Sequence, residues 1–259
     1  MINHRCPKLS EWSYNSGEGG YVLNAFDRIE EGVELFDSYG KKCNSRFFIN
    51  YGFLEQSEES HEYVFSLALA AGSVPGYEEK VRVHEYLQHV QKLRLVCSMD
   101  YEEETVIKGM RFWVAEGEKE MKAWKEFVET RGKEWTDKVL ADQTGPISVE
   151  NEVRALGAVK ELCRLKLEAY PTSRRQDEEL LKKGGMSYSQ RICVEYRLGE
   201  KVLLENTMRM VESVVPLFKQ SIGEVIMRSG HFPLKRYEEY VRTCLIPLLH
   251  REQLTSHPL

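Results

Sequence analysis

The sequence predicts an α+β chain, β-rich up to Gly76 and helical from Tyr77 onward. Three observations carry this. Before Gly76, short β-branched and aromatic runs stop at Gly or Tyr-Gly steps. A turn over residues 72–76, with Pro75 inside it, closes that pattern. Beyond it the apolar residues recur at helical spacing. The expected division is therefore 1–76 and 77–259.

The 259 residues are 42% hydrophobic and 30% charged, enough for a sizeable core and for two domains. A formal net charge of -5 argues against a general nucleic-acid partner, because neutralising phosphates needs clustered Lys and Arg. It suits a basic peptide better. Six scattered cysteines form no C-x-x-C pair, and no His stands at ligand spacing, so neither a metal site nor a disulfide scaffold is expected. No apolar run is long enough to span a bilayer, and the N-terminus lacks the apolar core of a signal peptide. The expectation is a cytoplasmic or nuclear protein with no membrane partner. Oligomeric state is left open.

Within the β-rich part, residues 7–20 read as a surface loop, 21–26 as a strand and 33–36 as its return strand. The organising stretch is residues 34–54, ELFDSYGKKCNSRFFINYGFL. It holds Tyr39-Gly40 and Tyr51-Gly52, with Asn44 and the pair Phe47-Phe48 between them. A strand leaving a sheet at Tyr39-Gly40, followed by one or two helical turns over NSRFFINY, would bring two phenols back to one point. Two such rings are more often core than site. The acidic run 55–62 reads as a solvated link and 62–70 as one more strand.

Past Gly76, Val81, Val83, Tyr86, Val90 and Leu93 fall near one helical face over 77–97. Trp113, Trp124, Phe127 and Trp135 form a stripe over 110–140. Ser148, with Glu150 and Glu152, starts a helix carrying Val153, Leu156, Val159, Leu162 and Leu165. A long helix over 187–219 buries Ile192, Tyr196, Leu203, Met208, Val211 and Val215, and its Arg197, Glu200 and Lys201 read as a solvated face. The loop around Gly184-Gly185 is a linker, since it lacks the Gly-Lys-Ser/Thr ending of a phosphate cradle.

In order, Asn3-His4, a strand pair, a Gly turn, Tyr39-Gly40, Asn44 and Tyr51-Gly52-Phe53 resemble the second half of a SET domain. The branch they resemble is that of the Rubisco large-subunit methyltransferase, which carries a helical substrate-binding domain after the SET core. Tyr170-Pro171-Thr172-Ser173, the Asp177 run and the later R-L-G-E-K-V-L-L agree with that second domain. The resemblance implies a partial β-rich SET core over 1–76 and an all-α substrate-binding domain over 77–259. In the family a sheet region and a Gly-x-Gly loop precede the Asn-His pair. Neither precedes Asn3, so the expectation is a chain beginning mid-domain, because the start codon is misassigned, the gene encodes a fragment or another chain supplies the rest.

The resemblance further implies S-adenosyl-L-methionine as methyl donor, contacted by Asn3, His4 and Tyr39, and transfer to a lysine of a non-histone protein substrate. Tyr39 would be the catalytic residue, and Tyr51 and Phe53 would line the lysine channel. One group of the branch methylates a histidine of actin and does not keep the second tyrosine, so retaining Tyr51 favours lysine. The rival reading is a non-catalytic fragment that serves as a protein-binding module.

Overall fold

The computed structural model describes residues 2–57, 60–68, 72, 74–83, 92–98, 105–131, 145–228 and 235–256. Three two-stranded sheets supply the β content among the described residues. β1 (Asn3–His4) runs parallel to β4 (Phe36–Asp37), with His4 opposite Asp37. β2 (Ser10–Asn15) and β3 (Gly20–Ala25) form an antiparallel hairpin with Tyr14 opposite Tyr21.

That hairpin corrects the expected loop over 7–20 and the expected return strand over 33–36. Ser10-Glu11-Trp12-Ser13-Tyr14-Asn15 alternates at the strand period, and Asn15 Oδ1 accepts the Gly17 N–H at 2.9 Å, starting the turn from the side chain. Of the predicted return strand, Phe36 alone is extended into pairing, and its partner is β1.

β5 (Glu62–Ala68) pairs antiparallel with β6 (Lys92–Ser98), Phe65 opposite Leu95. Here the helical expectation over 77–97 is corrected: α2 (Tyr77–Val83) is helical and β6 is a strand. Leu95 and Cys97, two apart, are both buried while Val96 between them is not, which is the strand period. Tyr86 and Val90 lie outside the described residues.

The predicted stripe over 110–140 is two helices, α3 (Val106–Trp113) and α4 (Gly117–Arg131). Gly117, at φ 73°, takes the left-handed turn that separates them. Trp124 is buried edge-on against Phe112 at 4.5 Å, whereas Trp135 lies outside the described residues. α5 (Val149–Glu168) begins as the sequence predicts, with the Ser148 hydroxyl accepting the Asn151 N–H at 3.1 Å. On its face Leu156 and Val159 are fully buried, but Leu165 is half exposed.

α6 (Arg174–Lys183) and α7 (Tyr188–Val214) each open on a reciprocal capping box, Ser173 with Gln176 and Ser187 with Gln190. A 3-10 turn, Val215–Lys219, extends α7. α8 (Ile222–Arg228), α9 (Lys235–Tyr240), a π-helical turn over Val241–Leu245 and α10 (Ile246–Ser256) complete the chain. No described helix is long and apolar enough to cross a membrane.

The core lies between α3, α5, α7 and the last helices, and the β5–β6 pair contributes Phe65, Leu95 and Cys97 to it. Each fully buried aliphatic side chain there stabilises the fold by about 1.5–3 kcal/mol. A buried ion pair crosses it: Arg111 Nε and Nη2 donate to Glu152 at 2.6 and 2.8 Å, and the Tyr240 hydroxyl donates to the same carboxylate. Burial pulls the Arg111 pKa down, but Glu152 overrides it and holds the guanidinium well above its ordinary value.

The segment Arg197-Leu198-Gly199-Glu200-Lys201, expected as a solvated face, is a correction too. Lys201 is 1% exposed, and its Nζ donates to the Asp177 carboxylate and, at 2.6 Å, to the Thr172 carbonyl. Arg197 Nε donates to Asp177 at 3.0 Å, and Glu200 accepts from the Tyr170 hydroxyl at 2.6 Å. Arg197 and Lys201 lie four apart, so both reach the buried Asp177 of α6 from one face. Burial would raise the Asp177 carboxyl, yet hydrogen bonds from Arg197, Lys201 and Thr172 hold it down at about 2.

Candidate active site

The chain leaves β4, turns at Gly40 (φ 84°) and enters α1 (Asn44–Tyr51). Gly52 ends that helix in the left-handed region at φ 75°, its N–H donating to the Phe47 and Phe48 carbonyls at 3.1 Å. A residue with a Cβ is strained in that conformation, which is why Gly follows Tyr51. The reversal returns Phe53 towards β1.

Three segments thereby bring five rings together. The centroids of Tyr39 and Tyr51 are 4.7 Å apart. His4 lies 5.2 Å from Tyr39, 4.9 Å from Phe47 and 5.6 Å from Phe53, and Phe47 lies 5.0 Å from Phe53. His4, Tyr39, Tyr51 and Phe53, all expected from the sequence, are thus one cluster, with Phe47 as a fifth member that sequence reasoning did not assign. Asn3 stands apart from it: its side chain is exposed and donates to Glu34. Its main chain pairs with Phe36 in the β1–β4 ladder.

Hydrogen bonds fix how the cluster is held. The Tyr39 hydroxyl donates to the Ile2 carbonyl at 2.8 Å, which leaves the phenol oxygen free to accept. His4 Nδ1 takes the Tyr39 N–H at 3.0 Å. A backbone N–H can only donate, so the imidazole proton sits on Nε2, which donates to Glu55 Oε2 at 2.9 Å. The His4 side chain is 6% exposed, so this contact is largely shielded from water. Asn44, fully buried at the head of α1, accepts the Glu55 N–H at 2.7 Å and donates to the Glu55 carbonyl at 3.0 Å.

Glu55 therefore belongs to the site, a correction to its reading as part of a solvated link. The signal was its place directly after Phe53-Leu54. A cavity of about 790 Å³ adjoins the cluster and shares His4 and Phe47 with it. Its wall also carries Gly40, the cations Lys41, Lys42 and Arg46, and the carboxylates Glu55 and Glu62. Burial, with Glu62 beside it, pushes the Cys43 thiol on this wall above its ordinary value.

The helical region reaches the site at three points. The Tyr188 hydroxyl donates to the Gly52 carbonyl at 2.9 Å. Tyr196 stacks on Phe48 at 5.2 Å with a 10° interplanar angle. The His61 ring lies against Gly199 of α7. An aromatic cleft of this kind desolvates an amine, which favours its neutral form.

Comparison with known proteins gives this geometry a context. The chain is 23% identical over 240 residues to an actin-histidine N-methyltransferase of Danio rerio, covering 92% of this chain and 38% of that protein. It is 27% identical over 218 residues to the chloroplastic ribulose-1,5-bisphosphate carboxylase/oxygenase large subunit N-methyltransferase of Pisum sativum, covering 79% of this chain and 42% of that protein. The fold matches the structure of Rubisco LSMT bound to AdoMet with a TM-score of 0.60 at 19% identity, over 93% of this chain and 52% of that one. The chain thus spans about half or less of the length of these relatives. The family model described as Rubisco LSMT substrate-binding matches residues 72–204, more than half of the chain, and with the shared fold this places the chain in the Rubisco LSMT substrate-binding family.

Proposed function

We propose that this chain acts as an S-adenosylmethionine-dependent protein methyltransferase and that its acceptor is lysine. The observation that carries the reading is the convergence of Tyr39 and Tyr51, 4.7 Å apart, beside a cavity that shares the His4 and Phe47 walls. The residues present suit S-adenosylmethionine. Rings offer a surface to a purine, Glu55 and Glu62 offer negative charge to a sulfonium, and Lys41, Lys42 and Arg46 offer positive charge to a carboxylate. When bound, that donor supplies a methyl group on positively charged sulfur.

The chain's own work is to hold and desolvate the accepting amine. A free lysine titrates near about 10.4, and enclosure between rings favours the neutral amine that can attack. Tyr39 and Tyr51 wall the channel, with Phe53 behind them. Because the Tyr39 hydroxyl donates to Ile2, its oxygen can accept an amine N–H and aim the nitrogen lone pair. The amine proton leaves to water, so no side-chain base is required. We place the boundary between the two functional parts in the turn over 72–76, where the family match begins.

A second reading, transfer to histidine, is favoured by the 92% coverage of this chain by the actin-histidine relative, while Tyr51 favours lysine. The test is to incubate the purified chain with isotopically labelled S-adenosylmethionine and protein substrates, locate the label by mass spectrometry, and titrate S-adenosylhomocysteine by calorimetry. Label on lysine supports the proposal, and label on histidine replaces it with the second reading. Absence of both label and binding in a folded chain leaves a protein-binding module.

A further inference from the structure

The hydrogen bonds that hold Tyr39 do not stop at Glu55. Asn44 Oδ1 accepts the Glu55 N–H at 2.7 Å, which fixes the orientation of that amide. Its Nδ2 then donates twice, to the Glu55 carbonyl at 3.0 Å and to His61 Nε2 at 3.1 Å. His61 must accept at Nε2, so its proton sits on Nδ1, which is buried and has no partner among the described residues. Nothing polar pins the ring from that side. Its other restraint is steric: a Cβ at Gly199 would stand 1.9 Å from His61 Cε1 and 2.4 Å from both ring nitrogens.

We infer that the main chain of Tyr39 is positioned from the helical region, through the unbroken run Tyr39, His4, Glu55, Asn44 and His61 that ends against Gly199 of α7. Every proton along the run has one consistent placement, because the backbone N–H groups of Tyr39 and Glu55 can only donate and so fix His4 and Asn44. Rotating any member leaves a buried group unpaired. Gly199 is therefore a positioning residue at a distance. It decides how closely His61 approaches Asn44, and hence where Glu55 holds the His4 ring under the Tyr39 amide.

The geometry stands without the proposed function; the catalytic consequence rests on it. The experiment is residue-resolved amide exchange by NMR on the whole chain. Gly199→Ala is expected to speed exchange of the Tyr39 amide at least roughly tenfold while the buried amides of α5 keep their rates. His61→Phe keeps a ring against Gly199 but cannot accept from Asn44, and should produce the same acceleration if Gly199→Ala proves too disruptive to fold. Gly157→Ala, on the exposed face of α5 where a Cβ meets nothing within 4 Å, should leave Tyr39 unchanged. In a chain that transfers methyl groups, Gly199→Ala and His61→Phe should lower kcat roughly tenfold with KM little altered. An unchanged Tyr39 exchange rate in folded His61→Phe overturns the inference. Loss of methyl transfer in the wild type would instead overturn the proposed function and leave the exchange result intact.

Discussion

The N-terminal region to β4 and the helical body are built on opposite terms. In the hairpin β2–β3, Trp12 is 57%, Tyr14 61% and Tyr21 74% exposed, and Ser10 is its one buried residue. In α5 and α7, Leu156, Val159, Leu204 and Val214 are fully buried within one core. Of the ring cluster, His4 lies in the first region and Tyr39, Phe47, Tyr51 and Phe53 follow directly after it, yet Tyr188, Tyr196 and Gly199 of the second brace the segments that carry them. The lesson is a division of labour: stability is concentrated in the helices, and the chemistry sits on segments that depend on hydrogen bonds and on those helices for their shape.

The largest expected effect tests the helical side. Glu152→Ala leaves Arg111 buried without its carboxylate and should cost about 3–5 kcal/mol in urea unfolding. A cost near zero would mean that the body does not carry the stability assigned to it. Next is the site. Tyr39→Phe should lower turnover about a hundredfold, on the scale of removing one polar group aimed at the reacting centre, while unfolding free energy falls only by about 0.5–1.5 kcal/mol, the worth of the lost hydrogen bond to Ile2. Equal losses of turnover and of S-adenosylhomocysteine affinity would make Tyr39 structural.

Third is acid. The Asp177 carboxyl sits at about 2 in the folded chain against 3.8 for an ordinary one. A carboxylate depressed on folding contributes stability that is complete above the unfolded value and lost as pH falls through the folded one. About 2 kcal/mol should therefore disappear between about pH 4 and pH 2. Comparison of unfolding free energies for wild type and Asp177→Asn should show the gap between them narrowing over that window. The smallest effect is on the exposed hairpin, where Tyr21→Ser should change stability by no more than about 0.5 kcal/mol. A larger loss would show that the hairpin is better anchored than its exposure implies.

Much of the site was legible because its residues keep a fixed order along the chain. His4, Tyr39, Tyr51 and Phe53 follow from Asn-His and two Tyr-Gly steps, and the turn chemistry of Gly40 and Gly52 predicts that the rings meet. Asn44 was singled out by its place between the two Tyr-Gly steps, but Glu55 was not, since an acidic residue in an acidic run looks solvated until its partner His4, 51 residues away, is placed beside it. Lys201 was missed for the same reason: its carboxylate, Asp177, lies 24 residues earlier on another helix. The strand over 92–98 was missed because a short apolar run fits either period, and pairing with β5 decides it.

The contact between His61 and Gly199 also has a consequence for descent. With a Cβ placed 1.9 Å from the ring, position 199 is not free to drift while 61 keeps an imidazole. Lineages that acquire a side chain at 199 should carry a smaller residue at 61, and those that keep His61 should keep Gly199. The two positions, 138 residues apart, should thus read as one inherited character.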